Sequence, residues 1–264
     1  MTFSMWSFGH YVFMISPFIF TGLFYALMRH KSREQKRKFG IWLSIIMIVI
    51  LFLRNGEILV RNGFQFDYEV IPLQICHFAN FVLLYAFIKD SKSVFSLALL
   101  LNFPAAMVSI IFANSLSNYD TILTFRGFAY IFGHLLIVAT TLWAYLAGFV
   151  TLNKETFKAN LFIVYVLYIV SLLVNNLIGS LSGNYSNYFY TMKPERGTPL
   201  EWFYNWGMNI HFGNFIINPL YILLHALLAT VVIFAMYGIF KTIDLAKEPK
   251  LTLASKNQSS QIKI

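Results

Sequence analysis

The sequence predicts an all-α polytopic membrane protein, built as a single bundle of seven transmembrane helices. Three observations support this class: 58% of the 264 residues are hydrophobic, only 12% are charged, and the mean hydropathy is +0.64. A soluble domain of this length carries about a quarter charged residues and has too small an interior for so much apolar surface. The surplus apolar surface must therefore face lipid.

Seven stretches of the sequence are long enough to cross a bilayer. Crossing needs about 20 mostly apolar residues in helical form, because unpaired backbone groups are costly in hydrocarbon. The stretches cover residues 8–28, 41–60, 72–88, 94–113, 127–150, 161–181 and 217–240. The first has no Lys or Arg before its apolar run, so we interpret it as a retained helix and not as a signal peptide.

The placement of Lys and Arg predicts the topology, since cytoplasmic loops carry an excess of these residues. Fifteen of the 20 lie in the loops after the first, third and fifth spans and in the C-terminal tail. Four lie in the other loops, and Arg54 lies inside the second span. We therefore predict an outside N-terminus, a cytoplasmic C-terminus and a multi-pass protein of the plasma membrane. The net charge of +9 then reflects topology, and we predict no nucleic-acid partner.

Two regions outside the spans differ in composition. Residues 241–264 are polar and contain Pro249, which predicts a disordered cytoplasmic tail after a single transmembrane domain of residues 1–240. The connection 182–216 is rich in Tyr, Trp and Phe, which settle at the level of lipid headgroups. We expect this aromatic loop to lie as a lid on the outer surface.

Polar side chains recur at one depth, counted at 1.5 Å per residue from the outer ends of the spans. Arg54 and Glu57 are three residues apart on the second span, which predicts an ion pair. Other polar residues at this depth lie on four further spans: Gln74, Cys76, His77, Asn80, His134, Asn175, Asn176, Asn218 and His225. Such groups usually face a cavity, so we predict one outward-opening polar pocket. Alternatively, they join helices through hydrogen bonds worth about 0.6–2 kcal/mol each.

Cys76 is the best nucleophile of this predicted pocket. It lies in the first turns of a helix opened by Pro72, where the helix dipole favours a thiolate. His77 points about 100° away on the same helix, so His134 is the better candidate base. The alternative is a cysteine that only fills space and a histidine that only holds helices together. With one cysteine and no Cys/His cluster, we predict no metal and no cofactor.

Four motifs carry a resemblance to a known family: IPLQICHF around Cys76, IFGH ending at His134, RNGEILV around Glu57, and NYFYTMKP from Asn187 to Pro194. They resemble the spaced motifs of the YwaF-type membrane family, which includes the eukaryotic transmembrane protein 164. The resemblance implies a six- or seven-helix bundle related to the androgen-induced and androgen-dependent hydrolases. In the eukaryotic relatives a helix-borne Cys or Thr accepts an acyl group from a lipid ester, with a His partner.

Carried over to this chain, the resemblance places Cys76 at the nucleophile position and His134 at that of its partner. The chain departs from the family where Gln74 replaces a frequent His, and where NWGMNIHFGNF replaces a Trp-Pro-Trp-like segment. Gln74 can donate a hydrogen bond to an oxyanion but cannot accept a proton as imidazole does. His77, His10 and His211 all remain open as a second histidine.

The resulting hypothesis is a lipid acyltransferase or hydrolase that acts on membrane lipids through Cys76 and His134. Arg54, paired with Glu57, would hold a phosphate. Further residues expected to bind or support the substrate are Gln74, His77, Asn175, Asn187, Tyr188 and Lys193. Two alternatives stay open: a non-enzymatic transporter or binding protein with an outward-facing polar pocket, and an assembly factor. The sequence leaves the lipid species and the oligomeric state open.

Overall fold

The fold is a bundle of membrane-spanning helices, seen in a computed structural model that describes residues 3–118, 121–195 and 197–261. Within these residues, seven helices are long and apolar enough to cross a membrane, as predicted. Its elements are α1 (Phe8–Met28), α2 (Arg33–Arg61), α3 (Ile75–Lys89), α4 (Lys92–Leu97), α5 (Phe103–Ile111), α6 (Phe125–Leu146), α7 (Lys154–Ser182), α8 (Leu200–Trp206), β1 (Ile210–Phe212), β2 (Phe215–Ile217) and α9 (Pro219–Gln261). The π-helical segment Ala98–Asn102 joins α4 and α5 into one span.

The two ends of the bundle are distinguished by their connections. We name the end where α1 ends and α2 begins the basic end, and the end where α2 ends and α3 begins the loop end. At the basic end the Arg33 guanidinium binds the Asp90 carboxylate at 2.7 Å and donates to the Gly148 carbonyl. The same guanidinium lies 4.7 Å from the centroid of the Phe149 ring. Arg33 therefore ties the start of α2 to the ends of α3 and α6.

Several boundaries differ from the sequence prediction, among them the starts of α2 and α7 and the end of α9. Helix α2 begins at Arg33 and not at residue 41, because Ser32 and Gln35 form a capping box that starts the helix within the basic segment. Helix α9 continues to Gln261, whereas residues 241–264 were predicted to be a disordered tail. Extending an existing helix needs no new nucleation, and Leu245 and Ala246 are good helix formers. Residues 262–264 lie outside the described residues.

Helix α6 lies at the centre of the bundle, packed against α1, α2 and α5. Its Trp143 is fully buried, with the Phe87 ring of α3 stacked against it at 5.9 Å between centroids. Gly40 of α2 approaches this cluster so closely that an added Cβ would lie 2.3 Å from the Phe87 ring. By contrast, only 6% of the apolar stretch of α9 is buried within the protein, so that helix lies at the periphery of the bundle.

The connection between α7 and α9 contains α8 and a two-stranded antiparallel hairpin that the sequence analysis did not predict. Phe212 pairs with Phe215, so the turn is the dipeptide Gly213-Asn214, and Gly213 has a φ of +60°. A Gly or Asn with positive φ suits the tight turns of hairpins. Trp202 and Trp206 on α8 are 63% and 64% exposed. Exposed indole rings at the end of a bundle suit the headgroup layer.

Candidate functional site

The side chains of Cys76 and His134 meet at the loop end. Cys76 is the second residue of α3, and His134 lies in the half of α6 that is nearer the loop end. The Cys76 Sγ atom lies 3.1 Å from His134 Nε2. The predicted meeting of a sulfur on the third span with an imidazole on the fifth is therefore present.

The contact made by the other ring nitrogen of His134 shows which of the two nitrogens carries the hydrogen. His134 Nδ1 is 2.6 Å from the backbone carbonyl oxygen of Tyr130, and a carbonyl oxygen can only accept. We therefore assign the hydrogen of the neutral ring to Nδ1 and the lone pair to Nε2. The Cys76 thiol then donates to Nε2, which is the arrangement a general base requires.

The start of α3 leaves backbone donors near the sulfur. Gln74 is the N-cap residue but makes no side-chain capping bond, and the first helical bond runs from Phe78 N to Gln74 O. The backbone N–H groups of Ile75, Cys76 and His77 therefore have no acceptor in the helix. Such donors, together with the helix dipole, favour an anion beside Cys76.

The sequence did not predict two further residues of this site, Ser109 and Tyr130. The Ser109 Oγ of α5 lies 3.9 Å from Cys76 Sγ and donates to the Ala105 carbonyl. The Tyr130 hydroxyl donates to the Ser109 carbonyl at 2.8 Å. The sequence could have predicted Tyr130, because it precedes His134 by one helical turn. It could not have predicted Ser109, whose position depends on how α5 packs.

A cavity of about 80 Å³ lies beside the Cys76–His134 pair, between α2, α3 and α6. A water needs about 10–15 Å³ by this measure, so the cavity has room for several waters or for a small reacting group. Apolar side chains such as Met47 and Ile137 line it together with polar ones. The polar lining residues besides the Cys–His pair are Arg54, His77, Asn80, Arg126 and Tyr130.

The cavity contains buried polar atoms that have no hydrogen-bond partner among the described residues, among them His77 Nδ1 and Asn80 Oδ1. An unpaired buried polar atom costs about 1–3 kcal/mol. Groups of this kind are retained where a ligand or an ordered water completes their hydrogen bonds. Their presence favours the interpretation of the cavity as a binding site over that of a purely structural contact. Asn80 was predicted to face a polar pocket and lines this cavity, although it was not among the residues expected to bind the substrate.

Arg54 does not pair with Glu57, which corrects the predicted ion pair. The Arg54 Nη2 atom binds Glu69 Oε2 at 2.9 Å, and Arg126 Nη2 lies 3.8 Å from the same oxygen. Glu57 instead binds Arg61 at 2.8 Å and accepts from the backbone N–H of Arg126. The connection between α2 and α3 folds back over the loop end and brings Glu69 to Arg54, a contact that spacing along α2 cannot show.

Four predicted site residues lie in a separate cleft and not beside Cys76. Gln74, Asn187, Tyr188 and Lys193 line an outer cleft of about 580 Å³ at the loop end. The cleft lies between the α2–α3 connection and the segment that follows α7. The proposed role of Gln74 as an oxyanion donor is therefore corrected, because its side chain precedes the helix and faces the cleft.

The amides of α7 do not join the cavity, which is lined by α2, α3 and α6 alone among the described residues and so corrects the prediction of one pocket shared by five spans. Asn175 is fully buried and binds the aromatic loop, donating to the Tyr188 carbonyl and to Thr191 Oγ1. Its Oδ1 accepts from Ser186 Oγ and from Tyr188 N. Asn176 likewise exchanges two hydrogen bonds with the backbone of Ile216. These side chains hold the loop in place.

The anchored loop covers the start of α3. Phe189 and Tyr190 both have a φ of +53°, a conformation that costs L residues about 1–2 kcal/mol each. The Tyr221 hydroxyl of α9 holds this turn by donating to the Tyr190 carbonyl at 2.6 Å. The buried Phe189 ring meets the Phe78 ring at 6.4 Å between centroids. The NYFYTMKP motif thus packs over the turn of α3 that carries Cys76.

Of the three candidates for a second histidine, only His77 lines the cavity. His10 of α1 is fully buried, with Nε2 2.8 Å from the Ile110 carbonyl and Nδ1 accepting from Trp6 N. His211 lies on the exposed strand β1. His225, expected at the same depth, is bound to the Tyr168 hydroxyl between α9 and α7.

Comparison with known proteins identifies the family. The sequence profile of the TMEM164 family matches residues 5–237, which include every membrane span up to the middle of α9. The chain belongs to the TMEM164 family. No curated protein and no solved structure matches it. Membership confirms the predicted kinship with transmembrane protein 164 and supports a multi-pass membrane protein. The kinship with YwaF and with the lipid hydrolases stays a prediction.

Proposed function

We propose that this TMEM164-family protein transfers an acyl group from a membrane lipid through a thioester on Cys76. The observation that carries the proposal is the 3.1 Å hydrogen bond from the Cys76 thiol to His134 Nε2. The pair borders a cavity that two arginines also line. A nucleophile, an oriented base and a place for an anionic group are the parts that acyl transfer from a phospholipid needs.

In the first half of the reaction, His134 Nε2 takes the thiol proton and the thiolate attacks the ester carbonyl. The carbonyl electron pair moves onto oxygen and then returns as the bond to the leaving oxygen breaks. The His134 imidazolium gives its proton to that oxygen, which releases a lysolipid and leaves the acyl group on Cys76. The Tyr130 carbonyl accepts from Nδ1 throughout and stabilises the imidazolium.

The charges of the transition state have partners in the cavity. The backbone N–H groups at the start of α3 lie where the oxyanion develops, since Cys76 is itself the second residue of that helix. Arg54 and Arg126 would bind the lipid phosphate, sharing Glu69 as their counterion.

In the second half, an acceptor hydroxyl from another lipid or from water attacks the thioester. His134 takes the proton of that hydroxyl, and the sulfur leaves and recovers the proton as a thiol. Transfer to a lipid requires that water is excluded. The NYFYTMKP segment, packed on Phe78 over the start of α3, supports such exclusion. With the loop end outside, as the Lys and Arg distribution predicts, the substrate enters from the outer leaflet of the plasma membrane.

A second candidate function is non-enzymatic binding or transport of a polar solute. The unpartnered His77 Nδ1 and Asn80 Oδ1 favour it, because they would hold a ligand without any reaction. The two functions differ in whether they require the Cys76 thiol. A binding protein would tolerate Cys76→Ser but lose its ligand in Arg54→Leu.

The test is direct detection of the thioester. Purified protein in nanodiscs is incubated with a phospholipid that carries an alkyne-tagged acyl chain, and protein-bound alkyne is measured before and after hydroxylamine. Because Cys76 is the only cysteine of the chain, any hydroxylamine-labile thioester is on that residue. We expect labelling of the natural protein and none of Cys76→Ala. An unlabelled natural protein, with lipid bound in the same nanodiscs, would reject the acyl-transfer mechanism.

A further inference from the structure

The outer cleft is a separate chamber that the proposed acyl transfer does not use. It has a volume of about 580 Å³, within the range of about 300–1,000 Å³ that is usual for ligand sites. Its two walls are residues 62–74, between α2 and α3, and residues 184–193, after α7. It opens at the loop end, where the membrane spans stop and lipid headgroups begin.

The walls of the cleft are fixed before any ligand arrives. The Tyr188 hydroxyl donates to the Tyr68 carbonyl and so ties one wall to the other. The Asn187 Oδ1 accepts from the backbone N–H groups of Met192 and Lys193, and its Nδ2 donates to the Lys193 carbonyl. Tyr185 donates to the Asn214 carbonyl of the hairpin. A site of this kind loses little conformational entropy on binding.

The carboxylates of the cleft are already satisfied. Asp67 accepts from Asn62 Nδ2 at 2.9 Å and from the backbone N–H of Glu69 at 2.8 Å. Glu69 is bound by Arg54 at 2.9 Å and approached by Arg126. Among the residues that the structure describes, a cationic ligand therefore finds no carboxylate without a partner in this cleft. Lys193 adds a positive charge to the cleft, and the negative charge of Asp67 on the facing wall balances it.

Neutral amides are the groups that remain for a ligand. The side chains of Gln65, Gln74 and Asn184 line the cleft and make no hydrogen bond to any described residue. Each amide offers two N–H donors and a carbonyl acceptor. Aromatic rings stand beside them, since Phe66 is 63% exposed and meets Tyr68 edge to face at 5.4 Å. Paired donors and acceptors next to apolar ring faces match a polyhydroxyl ring, whose hydroxyls donate and accept and whose C–H face is apolar.

We propose that the outer cleft binds a neutral sugar, through the amides of Gln65, Gln74 and Asn184 and the aromatic rings beside them. The sugar is either the headgroup of a glycolipid or a soluble saccharide. The site lies next to the cavity, because Gln74 of the cleft is two residues before Cys76, and Glu69 of the cleft binds Arg54 of the cavity. Binding of the sugar does not depend on acyl transfer at Cys76.

Binding is measured on the full-length protein with two probes. Native mass spectrometry in detergent measures monoglucosyl diacylglycerol, with diacylglycerol and phosphatidylethanolamine as comparison lipids. Equilibrium dialysis measures tritiated methyl β-D-glucoside. We expect binding of the glucosyl lipid at least 10-fold tighter than of either comparison lipid. Methyl glucoside that binds equally well identifies a soluble saccharide as the ligand, and methyl glucoside that binds much more weakly identifies the glycolipid.

The variants locate the site. The double variant Gln65→Ala/Asn184→Ala removes two exposed amides that make no side-chain hydrogen bond to any described residue, and we expect at least a 10-fold loss of sugar binding. The matched control is Asn209→Ala, an exposed amide at the same end outside the cleft, which should bind as the natural protein does. Cys76→Ala should also bind normally, which separates this proposal from acyl transfer. Equal binding of phosphatidylethanolamine, no sugar binding, or full binding by the double variant would overturn it.

Discussion

His134 donates from Nδ1 to the Tyr130 carbonyl on its own helix, over a distance of 2.6 Å. This carbonyl takes the place that a carboxylate holds in many catalytic triads, because it fixes the ring and its tautomer without adding a charge. A neutral orienting group suits a position inside a membrane, where an extra carboxylate would be costly. The ring can then present its Nε2 lone pair to Cys76.

The first prediction concerns the thiol. In His134→Asn, the amide keeps a donor for the Tyr130 carbonyl but has no base for the thiol, so alkylation of Cys76 by a membrane-permeant maleimide should slow at least 10-fold. The rate is measured in native membranes by mass spectrometry. His211→Asn changes an exposed histidine that does not line the cavity and should leave the rate unchanged. An unchanged rate in His134→Asn would mean that the imidazole does not activate the thiol.

The second prediction concerns the phosphate. Arg54→Leu removes a guanidinium whose side chain is only 11% exposed and which lines the cavity. We expect the phospholipid concentration for half-maximal thioester formation to rise about 10-fold, because the variant loses one charge-assisted hydrogen bond worth about 1.5 kcal/mol. The measurement is labelling across a lipid titration in mixed micelles.

The control for that prediction is Arg61→Leu on the same helix. Arg61 is half exposed, pairs with Glu57 and lies outside the cavity. Its removal should leave the titration unchanged. Equal effects of the two substitutions would point to the general surface charge and not to a phosphate site at Arg54.

The third prediction concerns the aromatic loop. Asn175→Ala removes a fully buried side chain that makes four hydrogen bonds to residues 186–191. We expect a loss of about 2–4 kcal/mol in the free energy of unfolding, because several buried backbone and hydroxyl groups lose their partner. Proteolysis of the segment 182–216 should speed up accordingly. Asn209→Ala loses one exposed bond to Tyr204, so its stability should change by less than about 1 kcal/mol.

The fourth prediction compares two glycines of α2. Gly40→Ala places a Cβ 2.3 Å from the buried Phe87 ring, and we expect about 1–3 kcal/mol of destabilisation. Gly56→Ala meets nothing within 4 Å and should stabilise the helix by about 0.5–1 kcal/mol. Thermal unfolding in detergent measures both. Equal effects would show that α2 and α3 do not pack this closely.

The fifth prediction is a pH dependence set by Glu195 in the aromatic loop. Burial raises the pKa of this carboxyl, and the nearby Lys193 opposes the shift only in part. A raised carboxyl pKa means that the ionised form is less favourable in the folded state than in the unfolded state. Ionised Glu195 therefore lowers the free energy of unfolding at a pH above its folded-state pKa, and this loss is absent at a pH below the ordinary carboxyl pKa. Glu195→Gln should therefore raise the melting temperature at pH 7.5 and leave it unchanged at pH 4. Glu201→Gln on α8 is the matched control and should leave the melting temperature unchanged at both pH values.

Composition and periodicity were sufficient to predict much of this fold. Apolar stretches of about 20 residues can only be membrane helices, since backbone polar groups must be satisfied within the segment. The same helical geometry predicted that Cys76 and His134 lie at one depth, because depth follows from counting residues at a constant rise. Ser32 and Gln35 have the spacing of a capping box, but the start of the second span was predicted at residue 41, after the basic residues, and not at Arg33.

The contacts between distant segments were decided by the tertiary structure alone. Arg54 and Glu57 share a helix face, yet Arg54 binds Glu69, because the α2–α3 connection folds back over the loop end. Ser109 reaches the sulfur only through the packing of α5. Counting along a helix determines depth but not rotation about its axis or the path of a connecting loop. The sequence therefore predicted which groups share a level, and only the packing of helices and loops decided which of them touch.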